Sequence, residues 1–142
     1  MMGLFNYMLI ITKQNTFSKH ERLKSRKLIA RLFSEGKSFS AFPLKVLYDA
    51  DGKGSMILQA GVTVSSRHFK KAVHRNRIKR IIREAYRLNN TPLKNVLGSH
   101  HKTATLFFIY TGKVLPSFSE VSVSMETLLQ RLVNEISKLP SK

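Results

Sequence analysis

The sequence predicts an α+β fold, a single domain in which three helices pack on a small, mostly antiparallel sheet. The chain has 142 residues, 42% of them hydrophobic, and no cysteine. That length and composition suffice to bury one core without disulfides. Apolar residues recur at helical spacing in three segments and form compact, strand-like runs in three others. These elements follow the order helix, strand, strand, helix, strand, helix, which is typical of α+β domains.

The start of the chain differs from the rest. Its first residues are apolar, but the stretch is too short to span a bilayer and lacks the basic segment and cleavage site of a signal peptide. We expect residues 1–19 to be a flexible extension and residues 20–142 to form the domain. The lack of cysteine fits a reducing compartment, and we expect a cytoplasmic protein with no membrane association.

The first half of the domain is predicted to contain one helix and two strands. Residues 25–33 have apolar side chains three and four positions apart, with Ser25 as a suitable N-cap and Gly36 as a suitable end. Residues 42–48 and 55–64 are typical of strands. The turn residues at 49–54 between them predict an antiparallel hairpin.

The second half is predicted to contain two helices and one strand. Residues 70–88 are helical in pattern, and Pro92 indicates that residues 89–102 are a loop. Residues 103–110 are typical of a buried strand. The last helix is predicted to begin near Ser117, which has the right spacing to form a capping box with Glu120. Its apolar stripe consists of Leu128, Leu129, Leu132, Val133, Ile136 and Leu139.

Positive charge dominates the chain, with 25 Lys and Arg against 8 Asp and Glu and a net charge of +17. Nine of the 25 cations fall between Arg67 and Arg87, where Glu84 is the only acid. In a helical projection of residues 70–88, Lys79, Arg80, Arg83 and Arg87 share one face with Asn76, and Arg75 and Arg77 flank its boundary. Isoleucine, alanine and leucine occupy the other face. A solvated face usually mixes its charges, so this one predicts a polyanionic partner. Nucleic acid is favoured over an anionic membrane, whose helices carry Trp, Phe or Leu on the apolar face.

The acidic residues argue against a self-contained nuclease. Metal-dependent cleavage of phosphodiesters usually needs clustered carboxylates, whereas the eight acids of this chain are scattered. Asp49 and Asp51 are close in sequence, but they flank a turn, which explains them better. We therefore predict no catalytic residue and no metal ligand in this chain.

The helix at residues 70–88 contains Arg75-Asn76-Arg77, followed two residues later by Lys79-Arg80. This motif resembles the signature of the bacterial ribonuclease P protein component. Two departures from the family pattern are Ile29, where a Phe is usual, and a linker at residues 65–71 that lacks the usual Gly. Further similar features follow in the family's order: Arg-Leu-Lys at 22–24, Phe33 with Gly36, and Val-Leu-Tyr at 46–48.

The resemblance implies a fold similar to the second domain of a small-subunit ribosomal protein. It also implies a ribonucleoprotein enzyme in which a catalytic RNA, with Mg²⁺ bound at the RNA, removes the 5′ leader of precursor tRNA. The protein itself would bind no cofactor. The catalytic RNA would contact Lys70, Lys71, Arg75, Asn76, Arg77, Lys79, Arg80, Arg83 and Arg87. The leader would lie in a cleft formed by Ile29, Phe33, Val46, Tyr48, Ser66 and Arg67.

The sequence leaves two alternatives open. Phe33 and Tyr48 are also compatible with ordinary core packing. The whole chain is also compatible with a structural RNA-binding protein, of a ribosomal or RNA-chaperone kind, that has no reaction of its own.

Overall fold

The computed structural model describes residue 17, residues 19–50 and residues 58–139. In these ranges a 3₁₀ turn at Lys19–Glu21 precedes four α-helices and four strands. The α+β class and the mostly antiparallel sheet are confirmed, with one helix and one strand more than predicted. Most of the extension predicted at residues 1–19 and of the turn predicted at residues 49–54 lies outside the described residues, namely residues 1–16, residue 18 and residues 51–54. The elements are α1 (Arg26–Glu35), β1 (Lys37–Ala41), β2 (Leu44–Asp49), β3 (Leu58–Val64), α2 (Ala72–Asn89), α3 (Thr91–Ser99), β4 (Ala104–Tyr110) and α4 (Phe118–Ser137).

The sheet has the strand order β1-β2-β4-β3. Strand β2 pairs antiparallel with both β1 and β4, whereas β3 pairs parallel with β4. The hairpin predicted between residues 42–48 and 55–64 is therefore wrong, because β4 lies between those two strands. The hairpin partner of β2 is β1. This short edge strand is largely exposed and contains few apolar residues, so the hydrophobic pattern did not predict it.

The predicted starts of α1 and α4 are confirmed by their capping bonds. The Oγ of Ser25 accepts a hydrogen bond from the Leu28 N–H at 3.3 Å, and the Oγ of Ser117 accepts one from the Glu120 N–H at 3.2 Å. Each bond satisfies a backbone donor that the helix leaves free. None of the four described helices is long and apolar enough to cross a membrane.

Helix α3 occupies a segment that was predicted to be a loop. Pro92 lies in its first turn, where the missing N–H costs no hydrogen bond and the fixed φ suits a helix. The proline therefore begins a helix here instead of ending one. Leu93 and Leu97 of α3 are fully buried, so this helix contributes to the core.

Each face of the sheet carries its own apolar cluster, because strand side chains alternate between the two faces. The face that carries Val46 and Phe108 packs against α2, α3 and α4 and forms the main core. The opposite face carries the minor cluster, which is formed by Leu23, Leu32, Leu47 and Phe107 beneath α1. In the stripe predicted for α4, Val133 and Leu139 are half-buried, and the other four residues are buried in the main core.

Gly61 of β3 allows close packing on the face of the minor cluster. A Cβ at this position would lie 2.8 Å from Cδ1 of Phe107 and 3.3 Å from the carbonyl oxygen of Leu23. We expect Gly61→Ala to lower the free energy of unfolding by about 1–3 kcal/mol through overpacking, as measured by urea denaturation.

Gly98→Ala is the matched control for this substitution. Gly98 is in α3, and among the described residues no atom outside its chain neighbours and the backbone of that helix lies within 4 Å of an added Cβ. The free energy of unfolding should stay unchanged or rise by up to about 1 kcal/mol, because alanine favours a helix more than glycine does. Equal destabilisation by both substitutions would contradict the close contact at Gly61.

Candidate nucleic-acid interface

Helix α2 packs on the domain through one apolar stripe, and its charged side chains lie on the other sides of the helix. Ile78, Ile82, Ala85 and Tyr86 are buried in the main core. Because residues three or four positions apart share a helix face, this stripe directs the cations away from the core. Lys70, Lys71, Asn76, Arg77 and Arg80 are exposed, and Lys79, Arg83 and Arg87 are half-buried.

Arg75 differs from these residues because its guanidinium turns back onto the loop before α2. Its Nη1 donates hydrogen bonds to the carbonyl oxygens of Phe69 at 2.7 Å and Lys70 at 2.9 Å. Phe69 is buried, and its ring packs on Tyr110 with 5.8 Å between the centroids. Lys71, the N-cap residue, makes no side-chain capping bond. Arg75 therefore has a structural role at the start of α2 that its place in the motif did not predict.

Arg87 is partly neutralised by an acid on the same helix. Its Nε and Nη2 donate hydrogen bonds to the two carboxylate oxygens of Glu84 at 2.7 and 2.9 Å. These bonds hold the pKa of Glu84 below its ordinary value. The surplus positive charge of α2 therefore lies towards its N-terminus, around Arg77 and Arg80.

The six residues predicted for a leader cleft do not share one surface. Ile29 and Phe33 lie on α1 beside the minor cluster. The Phe33 ring meets Phe107 edge to face, with 5.6 Å between the centroids, and Phe33 stays 59% exposed. Val46 and Tyr48 are 0% and 6% exposed and belong to the main core on the opposite face. The prediction that Val46 and Tyr48 form one cleft with Ile29 and Phe33 is therefore wrong. The burial of Tyr48 is explained by ordinary core packing.

Leu47 is the buried apolar residue of this strand that lies beside α1. Side chains alternate along a strand, so a shift of one residue moves the contact to the other face of the sheet. The last two predicted cleft residues, Ser66 and Arg67, are exposed in the turn after β3. There the Arg67 N–H donates to the Oγ of Ser65 at 3.1 Å.

A groove of about 290 Å³ lies on the same face of the sheet as Phe33. Ile29 and Phe107 contribute to its apolar floor, and three cations line it, namely Arg22, Lys24 and Arg83. None of the described residues that line it is an acid. Because Arg83 belongs to α2, the groove adjoins the cationic surface of that helix.

The charges in the groove are arranged to favour an anion. Burial, together with the nearby Arg22, lowers the pKa of Arg83. The Arg22 guanidinium carbon also lies 5.5 Å from the centroid of the Phe17 ring. None of the described residues that line the groove is an acid, so the repulsion between these two guanidiniums is not offset there. A bound phosphate would reduce this repulsion, because its oxygens accept charge-assisted hydrogen bonds from both side chains.

Arg22 and Lys24 are not among the RNA-binding residues predicted from the sequence, although their alternation with an apolar residue is a signal for two cations on one side. Leu23 between them is buried in the minor cluster. In an extended segment, residues two positions apart point to the same side. An alternation of basic, apolar and basic residues therefore predicts two cations on the outer side.

Several carboxylates of the chain are engaged in ion pairs with basic side chains. The pairs are Glu21 with Lys94, Glu35 and Asp49 with Arg31, Glu84 with Arg87, and Glu135 with Lys138. Within the described ranges no three His, Asp or Glu side chains are grouped closely enough to hold a metal ion.

Comparison with known proteins identifies relatives over most of the chain. The family model described as Ribonuclease P matches residues 17–133. The ribonuclease P protein component of Porphyromonas gingivalis is 38% identical over 129 residues, which cover 89% of this chain and 94% of that protein. That of Chlorobium phaeobacteroides is 35% identical over 130 residues, covering 83% and 88%. The solved structure of the ribonuclease P protein from Thermotoga maritima is similar with a TM-score of 0.60 and 28% identity, covering 78% of this chain and 96% of that one.

Arg75 and Arg77 should respond differently to substitution, although both belong to the same motif. Arg75→Ala removes two hydrogen bonds from a cation to backbone carbonyls and should lower the free energy of unfolding by about 1–3 kcal/mol in urea denaturation. Arg77→Ala is the matched control, because Arg77 is exposed and its loss should change stability by less than about 0.5 kcal/mol. Equal stability of the two variants would show that the bonds of Arg75 do not hold the start of α2.

Proposed function

This chain belongs to the ribonuclease P protein family, and we propose that it acts as the protein subunit of that enzyme. In the proposed assembly a catalytic RNA removes the 5′ leader of precursor tRNA, and this chain binds both the catalytic RNA and the leader. The observation that carries the proposal is the cationic surface of α2. On this surface Arg77, Arg80 and their neighbours face outward, and the nearby acid Glu84 is already bound to Arg87.

The chemistry of α2 suits the phosphate backbone of a folded RNA. An arginine guanidinium binds phosphate oxygens through two parallel hydrogen bonds, and a lysine contributes a compact positive charge. Each phosphate contact releases counterions from the RNA, so the affinity should fall steeply with salt. The burial of the opposite side of α2 keeps these cations on one rigid element.

The groove beside α1 suits a single strand such as the leader. Phe33 offers an exposed ring at its edge, and Arg22, Lys24 and Arg83 supply positive charge along its wall. Stacking on an aromatic ring together with phosphate contacts binds single strands without reading their sequence. This geometry replaces Val46 and Tyr48 in the proposed leader site by Phe107 and the three cations. Since Arg83 also belongs to α2, the leader would pass next to the docked RNA.

The chain's part in the reaction is to bind and orient, and we assign the cleavage step and its Mg²⁺ to the RNA. The ion pairs that engage its carboxylates support this division, because those groups already have cationic partners in the folded protein. The protein would act by raising the affinity for precursor tRNA and by lowering repulsion between two RNA molecules.

Reconstitution with a bacterial ribonuclease P RNA at low Mg²⁺ tests the proposal. We expect the chain to accelerate cleavage of precursor tRNA over the RNA alone, and Arg77→Ala/Arg80→Ala to lose most of this stimulation. Lys37→Ala/Lys138→Ala is the control, since it removes the same charge away from α2. Tight RNA binding without any stimulation would favour a structural RNA-binding protein instead.

Leader length tests the groove separately from RNA docking. We expect Phe33→Leu to weaken binding of a precursor with a leader of several nucleotides by about tenfold, because one stacking contact is lost. Binding of a precursor with a single-nucleotide leader should not change. Phe42→Leu, which alters an exposed ring between β1 and β2, serves as the control. A loss of affinity for both precursors with Phe33→Leu would argue against leader binding in this groove.

A further inference from the structure

An exposed aromatic residue lies where α2 meets the start of α4. Phe118 is the first residue of α4, and it is 40% exposed. With Arg77, Arg80, Ile81 and Glu84 of α2 it lines a shallow notch, which lies on the cationic side of that helix. The notch is separate from the groove beside α1, because the two share no lining residue.

The start of α4 does not require an aromatic side chain at this position. The helix is capped by Ser117, whose Oγ accepts a hydrogen bond from the Glu120 N–H. Pro116 and Val121, the positions that form a hydrophobic staple around an N-cap, are both buried. Phe118 therefore takes part in neither the Ser117 cap nor the hydrophobic staple. Its partly exposed ring lies beside two arginines.

The partly exposed Phe118 ring can accept a stacking ligand without displacing an aromatic or cationic partner. In the described part of the chain, neither a second aromatic ring nor a guanidinium lies over it. Other rings are already engaged, as Phe69 is with Tyr110 and Phe17 is with Arg22.

The charges around the ring favour an anionic ligand with a flat, apolar part. Arg77 and Arg80 are three positions apart, so they point to the same side of α2. Glu84 is bound to Arg87 through both carboxylate oxygens, so its charge is balanced and repels an anion less. A nucleotide combines a flat base with phosphates on either side. An unpaired base offers its face to a stacking ring, whereas bases inside a duplex stack on their neighbours.

We propose that this notch binds an unpaired nucleobase of the RNA that docks on α2. Phe118 stacks on the base, and Arg77 and Arg80 bind the flanking phosphates. The inference rests on the proposed function, because it takes the partner of α2 to be RNA. It adds that this RNA presents an extruded or bulged nucleotide at the docking site, so that α2 distinguishes such a site from a plain duplex.

Two RNA hairpins with the same loop and the same stem pairs test this inference, one with a fully paired stem and one whose stem carries an additional, unpaired 2-aminopurine. We expect the protein to bind the bulged hairpin about tenfold or more tightly and to quench the 2-aminopurine fluorescence through stacking. Phe118→Leu should abolish both effects and Phe118→Tyr should retain them. Phe42→Leu is the control for loss of an exposed ring elsewhere.

Salt dependence separates stacking from charge. Phe118→Leu should lower the affinity for the bulged hairpin without changing the slope of log affinity against log salt, because stacking releases no counterions. Arg80→Ala should reduce that slope by about one. Urea denaturation of each variant checks that the folded fraction is the same.

Other results would overturn the inference. Equal affinity of the protein for the two hairpins, or quenching that survives Phe118→Leu, would exclude stacking on Phe118. If sedimentation showed a dimer that Phe118→Leu dissociates while RNA affinity is unchanged, the ring would bind a second copy of the chain instead. Stimulation of ribonuclease P RNA by a protein that shows no preference for the bulge would leave the proposed function standing and this inference refuted.

Discussion

The burial of one apolar stripe of α2 is the constraint on which the rest of the structure depends. Ile78 and Ile82 are fully buried, and the stripe they belong to fixes the rotation of the helix about its own axis. That rotation decides where each cation points, because side chains on a helix keep fixed angular relations. Arg75 adds a second restraint by binding the loop that leads into α2. A surface with this density of positive charge therefore rests on a rigid hydrophobic base.

The two faces of the sheet serve different purposes. One is covered by α2, α3 and α4, and it holds most of the buried apolar side chains. The other is covered by the short α1 and a small cluster, so an aromatic ring and a groove remain open beside it. Stability thus comes mainly from the closed face, and the open face can present Phe33 to a ligand at little cost to the core. Arg83 joins the open face to the cationic side of α2.

The charge balance connects the fold to its proposed partner. A net charge of +17 in 142 residues opposes compaction through self-repulsion. Much of the acidic complement is used in local ion pairs, such as Glu84 with Arg87, which leaves the outer surface of α2 and the groove beside α1 cationic. Binding of RNA would relieve repulsion at both surfaces at once. The two surfaces meet at Arg83, so the proposed docking of the RNA and binding of a leader would be electrostatically linked.

Local features were readable from the sequence alone. The caps at Ser25 and Ser117, the cationic side of α2 and the family motif depend on residues within one or two helical turns of each other, where periodicity and charge are sufficient. Tertiary structure decided what depends on distant partners. Strand β3 pairs with β4 across two helices, and a shift of one residue places Leu47, not Val46, beside α1. The partners of Arg75 depend likewise on the path of a loop, because a guanidinium binds whichever carbonyl the folded backbone brings within reach.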